Sequence, residues 1–148
     1  MNKATVIAAF YNKIDYLKLV LAGFERQTTK EFELIIADDG SAENVVLEIN
    51  KLKSHYTFPI KHTWQEDKGF RKNKILNKAI TESETDYLIF IDADCIPHRG
   101  FVEGHLRFAE KLTSLAGRRV NLSQKLQTSL PKKIFEMDFW RVISSNLF

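Results

Sequence analysis

The chain has 148 residues, of which 44% are hydrophobic, a length and composition that suit one globular domain and disfavour disorder. Its 22 Lys+Arg against 19 Asp+Glu leave a net charge of +3, too small to argue for a nucleic-acid partner. A single cysteine excludes an intramolecular disulfide framework and a pair of Cys-x-x-Cys zinc knuckles.

Strand and helix patterns alternate along the chain. Residues 5–10 (TVIAAF) form a short apolar run without period-2 alternation, as expected for a strand buried on both faces. Ile14, Leu17, Leu21 and Phe24 follow at helical spacing. Residues 32–37 (FELIIA) are a second buried strand, followed by a tight turn at Asp38-Asp39-Gly40-Ser41. Val45, Val46, Ile49 and Leu52 mark a second helix, and residues 60–64 a weaker third strand. Phe70, Ile75, Leu76, Ala79 and Ile80 predict a third helix beginning just after Gly69. Residues 87–91 (YLIFI) are the strongest strand and run into Asp92-Ala93-Asp94. Residues 101–112 read as a further helix and residues 114–120 as a candidate strand. This order predicts an α/β fold, a mostly parallel sheet with flanking helices.

Ligands of such sheets bind outside the carboxyl ends of the strands. Those ends carry Tyr11-Asn12, then Asp38-Asp39, then residues 66–71 (EDKGFR), then Asp92 and Asp94. Carboxylates converging on one edge repel one another unless a cation joins them, and Mg2+ or Mn2+ is the natural partner of hard oxygen ligands. Such an ion keeps positions open for phosphate oxygens. Arg71, Lys72 and Lys74 at a helix start favour the same anion. Together these features point to a metal-chelated nucleotide diphosphate.

Each feature also has a plainer explanation. Asp38 to Ser41 can be a turn that caps the next helix. Arg71, Lys74 and Lys78 can be a solvated helix face. Two carboxylates around one alanine at the end of an apolar strand are the hardest to explain by packing, because carboxylates avoid the interior without a partner. Cys95 and His98 lack a second ligand pair and read as loop residues. His55 and His62 are expected to be exposed, and Trp64 and Phe70 to pack around the third strand.

Residues 5–12, residues 34–41 (LIIADDGS), residues 75–80 and residues 88–95 (LIFIDADC) together resemble family 2 of the glycosyltransferases, and residues 65–71 (QEDKGFR) are similar to its chondroitin-polymerase-like branch. The resemblance covers about residues 3–120 in order. It implies inverting transfer from a nucleotide-sugar donor, a UDP-sugar, to a saccharide acceptor. It implies the Rossmann-like nucleotide-binding half of a GT-A fold over residues 1–120, with residues 121–148 an incomplete C-terminal extension.

By that resemblance Phe10, Tyr11 and Asn12 meet the nucleoside, and Asp39 hydrogen-bonds the base while Asp38 supports the turn. Asp67, Gly69 and Arg71 lie beside the base and diphosphate. Asp92-Ala93-Asp94 matches the DxD motif, so that Asp92 and Asp94 serve the ribose and a bound Mn2+ or Mg2+. The family's base and acceptor loops lie in a C-terminal half that has no counterpart here, so the expectation is a donor-binding half of a larger enzyme, inactive by itself. The alternative is a non-catalytic nucleotide-sugar-binding or assembly module. A signalling receiver would carry its acidic pair after strand one, and a DxD phosphatase its motif on strand one; neither order is found.

The apolar run of residues 4–11 is far short of the roughly 18 residues that a membrane span needs, and residues 1–3 lead straight into a strand-like run rather than a signal peptide. The expected location is cytoplasmic. Residues 134–140 (IFEMDFW) are strongly apolar. Their plain role is to cover a sheet face; the sharper reading is a homo-oligomer contact or a peripheral membrane patch.

Overall fold

The computed structural model describes residues 2–124. The chain divides into two units, Met1–Ala116 and Gly117–Phe148, and every helix and strand named below lies in the first. The apolar segment 134–140 lies outside the described residues.

Four strands, β1 (Ala4–Phe10), β2 (Phe32–Asp38), β3 (Ile60–Trp64) and β4 (Leu88–Asp92), form one parallel sheet in the order β3-β2-β1-β4. Helices α1 (Ile14–Glu25), α2 (Glu43–Leu52) and α3 (Lys72–Thr81) make the three crossovers, and α4 (Phe101–Arg107) follows β4. The expected α/β class is therefore found. Among the described residues no helix is long and apolar enough to cross a membrane.

Alternation along the strands builds two cores. Val6, Ala8, Phe10, Leu34, Ile36 and Ile89 point to one face, where Leu17, Val20, Leu21 and Phe24 of α1, Val45 and Ile49 of α2 and Val102 of α4 cover them. Ile7, Ile35 and Ala37 point to the other, under Ile75 and Ala79 of α3. Both faces are covered, which is why β1 and β2 read as unbroken apolar runs. Chain order reverses beside β1: β2 and β3 lie to one side of it and β4 to the other. Such a reversal opens a crevice at the carboxyl ends of the strands.

Three boundaries differ from the sequence reading. α3 starts at Lys72, because Gly69 (φ +80°) and Arg71 (φ −130°) hold the chain out of the helix, and Phe70 stands 89% exposed. α4 ends at Arg107 instead of running to residue 112. Residues 114–120 form no strand; the run contains Gly117 and two arginines and has one β-branched residue, Val120, so its strand propensity is low.

The amino ends of the strands hold a buried carboxylate. Glu33, 1% exposed, accepts hydrogen bonds from the Thr5 hydroxyl (2.7 Å) and the Glu84 N–H (2.8 Å), and pairs with Lys61 Nζ at 2.8 Å. Burial by itself would push the Glu33 pKa up; Lys61, the Glu84 amide and Thr5 outweigh it and hold the carboxyl below its usual range. Burial likewise works to lower Lys61, but Glu33 and Glu84 raise it above the ordinary lysine value. A depressed acid stabilises the fold above its unfolded pKa, and this contribution is lost as pH falls through the folded value. A raised lysine stabilises below its unfolded pKa, and its contribution is lost as pH rises through the folded value. Stability should therefore be flat between about pH 5 and pH 10 as far as this pair is concerned, falling on either side. Glu33→Gln should lower stability at neutral pH by about 2 kcal/mol, the contribution of hydrogen bonds to a charged group, and remove this group's part of the acid limb. Urea denaturation across pH tests it; an acid limb identical in the variant would refute the assignment.

Candidate active site

A cavity of about 360 Å3 opens at the carboxyl ends of β1, β2 and β4. Ala9 and Phe10 line it from β1 and Tyr11 from just beyond, Ala37 from β2 and Asp39 from the turn after it, and Asp92 from the end of β4 with Ala93 and Asp94 following; Asp67, Gly69 and Phe70 enter from the loop after β3, and Lys72 and Ile75 from α3.

The turn after β2 separates its two aspartates. Asp38 ends the strand pointing into the fully covered face. There its carboxylate accepts the Ser41 N–H (2.9 Å) and the Ser41 hydroxyl (2.6 Å), and lies 2.9 Å from His62 Nε2. The His62 side chain is only 4% exposed, contrary to the exposed position expected for it; a buried carboxylate without partners would be destabilising, and His62 supplies one. Asp39, one residue on, turns to the cavity. Its Oδ2 accepts the Arg71 N–H at 2.7 Å and its Oδ1 the Gln65 side-chain amide. A carboxylate has about four acceptor positions, so two protein donors orient it without exhausting it.

Gly40 makes this turn possible. Its φ is +101°, and a Cβ there would lie 2.6 Å from the Asp67 Cα. The loop of residues 65–70 therefore rests directly on the glycine. On that loop Asp67 accepts the Tyr11 hydroxyl at 2.9 Å and the Gly69 N–H at 3.0 Å. The hydrogen bond to Asp67, and the negative charge that comes with it, raise the Tyr11 pKa.

Alternation explains Asp92-Ala93-Asp94. Asp92 is the last residue of β4 and is paired with Ala9, and the Ala93 N–H continues the ladder to Ala9 O at 2.9 Å. Ala93 is buried in the α1 core, while the carboxylates on either side of it both line the cavity. Lys72 Nζ forms an ion pair with Asp92 Oδ1. Among the described residues no group of three or more His, Cys, Asp or Glu side chains is placed to hold a metal ion. Two carboxylates nevertheless fit Mg2+ or Mn2+, which are commonly held by one or two carboxylates plus waters and substrate phosphates.

Of the residues singled out in the sequence, Phe10, Tyr11, Asp39, Asp67, Gly69, Asp92, Ala93 and Asp94 meet at this cavity. The side chains of Asn12 and Arg71 do not line it. Asn12, at φ +56°, donates its N–H to Ser41 Oγ (2.7 Å) and accepts the Ala42 N–H (2.9 Å), joining the loop after β1 to the turn after β2. Arg71 serves Asp39 through its backbone while its guanidinium donates to Glu66 O. Phe70 does not pack around β3 as expected; it stands at the cavity rim. Lys13, another lining residue, went unremarked in the sequence, though its place two residues beyond Tyr11 marks it as a strand-end cation. Gln65 opens the QEDKGFR segment, but the sequence assigns it no role, since that role depends on where the β3 loop folds back.

The sequence profile of Glycosyl transferase family 2 matches residues 5–145. The chain belongs to that family. Among curated proteins, this family 2 member is 34% identical over 95 residues to the teichoic acid poly(glycerol phosphate) polymerase of Staphylococcus epidermidis, covering 64% of this chain and 13% of that protein. It is 28% identical over 103 residues to the chondroitin synthase of Pasteurella multocida, covering 69% of this chain and 10% of that one. The chain thus spans about a tenth of the length of these relatives. Among solved structures, S. aureus TarS 1-349 in complex with UDP-GlcNAc superposes with a TM-score of 0.60 at 22% identity, over 72% of this chain and 30% of that one. This likeness establishes the fold, which is that of the GT-A glycosyltransferases.

Proposed function

We propose that this family 2 chain binds a UDP-sugar together with a divalent cation, as the donor side of an inverting glycosyltransferase whose acceptor is a saccharide. The observation that carries the reading is the convergence of Asp39, Asp92 and Asp94 on one cavity at a strand-order reversal. A structural neighbour was solved with UDP-GlcNAc and another with UDP, which supports the choice of nucleotide.

Each residue has a task in this reading. Asp39, fixed by Arg71 and Gln65, offers its remaining lone pairs to a donor N–H of the base. Tyr11, tethered by Asp67, sets the wall beside the nucleoside. Asp92 and Asp94 would hold Mg2+ or Mn2+. When bound, such an ion supplies Lewis-acid stabilisation of the negative charge that builds on the departing nucleoside diphosphate. Lys72 and Lys13 add positive charge to the same cavity. Inversion requires a carboxylate base on the opposite face of the sugar; none of the described residues is assigned that part.

Calorimetric titration with uridine and with UDP, each with and without Mn2+, tests the proposal. UDP should bind more tightly with Mn2+, and uridine should not. Asp39→Ala should weaken uridine by about 1–3 kcal/mol without any metal, the loss of one buried hydrogen bond. An unaltered uridine affinity, in a variant whose melting temperature shows that it is folded, would rule the base contact out. Donor turnover with and without saccharide acceptors then separates an enzyme from a nucleotide-sugar-binding module.

A further inference from the structure

Lys72 has a conflict built into its position. It is the first residue of α3, and its ammonium is paired with Asp92, one of the two carboxylates that would hold the cation. An ammonium and a divalent ion cannot share that carboxylate at full strength, since each is held by the same negative charge. Both side chains are partly exposed, 36% for Lys72 and 43% for Asp92, and exposed ion pairs are weak and readily exchanged. The same lysine lines the cavity together with Asp94, within reach of whatever the cation brings with it. The N-terminus of α3 has no side-chain cap and no acidic residue in its first turn, so the helix dipole there favours an incoming anion.

We propose that Lys72 is a positioning residue that exchanges partners. Before the donor arrives, its ammonium holds Asp92 and keeps two like charges from facing each other across Ala93. When a divalent cation and a nucleoside diphosphate enter together, the cation takes Asp92 and the ammonium turns to the diphosphate oxygens. The exchange makes cation and nucleotide bind cooperatively: either one alone leaves a charged group without an opposite partner, and both together give each charged group one. This inference rests on the donor-site reading above and adds to it a role for a side chain that begins as a competitor of the metal.

The test uses Lys72→Met, which keeps the length and apolar stem, and Lys72→Arg, which keeps the charge. Mn2+ alone, UDP at saturating Mn2+, and uridine are titrated into each. In Lys72→Met, Mn2+ alone should bind about fivefold more tightly, the scale of one exposed ion pair. UDP at saturating Mn2+ should bind about tenfold more weakly, the scale of a charge-assisted hydrogen bond, and uridine should be unchanged. Lys72→Arg should recover most of the UDP affinity. Opposite shifts for Mn2+ and UDP are what distinguish an exchange from a merely structural lysine. If wild type binds Mn2+ and UDP cooperatively but Lys72→Met alters neither, the exchange is overturned and the donor-site reading stands. If wild type binds no Mn2+ with or without UDP, both fall.

Discussion

Asp94→Ala should abolish the Mn2+-dependent part of UDP binding while leaving uridine binding intact. Asp94 stands beyond the last residue of β4 and lines the cavity. Of the four carboxylates that line the cavity, Asp39 and Asp67 are engaged by donors of the loop of residues 65–71 and by Tyr11, and Asp92 is paired with Lys72. Removing Asp94 therefore leaves the proposed cation only Asp92, which an ammonium already holds. Loss even of outer partners of a metal ligand typically lowers metal affinity by about 10–100-fold, and loss of a ligand from a set of two should exceed that. In the proposed reading the nucleoside end depends on Asp39, Tyr11 and Asp67, which follow other strands and share no hydrogen bond with Asp94. The variant should thus bind UDP no better with Mn2+ than without. Unchanged Mn2+-dependent UDP affinity would refute the metal role of the Asp92-Ala93-Asp94 segment.

Gly40→Ala should have the largest effect on the fold of the site. The φ of +101° is forbidden to side chains by the same contacts that disfavour left-handed backbone, at about 1–2 kcal/mol per residue. The added methyl would also lie 2.6 Å from the Asp67 Cα and 2.7 Å from its N. Those are backbone atoms, so relief requires moving the whole loop of residues 65–70. That loop supplies Gln65 to Asp39, Asp67 to Tyr11 and the lead into α3. Destabilisation of about 3 kcal/mol is expected from strain and lost hydrogen bonds together. Uridine affinity should fall with it, because Asp39 loses the donors that orient it. Urea denaturation and uridine titration measure the two effects; wild-type stability in the variant would show that the turn does not need this backbone.

The contrast between Asp38 and Asp39 shows where sequence reading reaches its limit. Both are aspartates at the end of an apolar strand, and the resemblance distinguishes their roles without a cause. The cause is the alternation of the pleat: Asp38 continues the inward face and needs His62, whereas Asp39 turns out to the cavity. His62 could not be recognised as that partner, because a weak strand with alternating polar residues looks exposed until β2 lies beside it. Phe70 fails in the opposite direction. It is apolar and directly precedes the run that holds Ile75 and Ala79, yet the backbone of Gly69 and Arg71 keeps it out of the helix and at the cavity rim.

Local pattern alone determined the alternation of strand and helix, the parallel sheet, and the collection of acidic residues at the strand ends. These follow from hydrophobic period and turn chemistry, which act over a few neighbouring residues. Tertiary structure alone decided which strand-end residues meet. Sheet order places β4 beside β1 and so brings Asp92 and Asp94 to Tyr11 and Asp39, and it sets Lys72 against Asp92 across twenty residues of sequence. Such contacts depend on how distant segments pack, and burial drives that packing without regard to their separation along the chain.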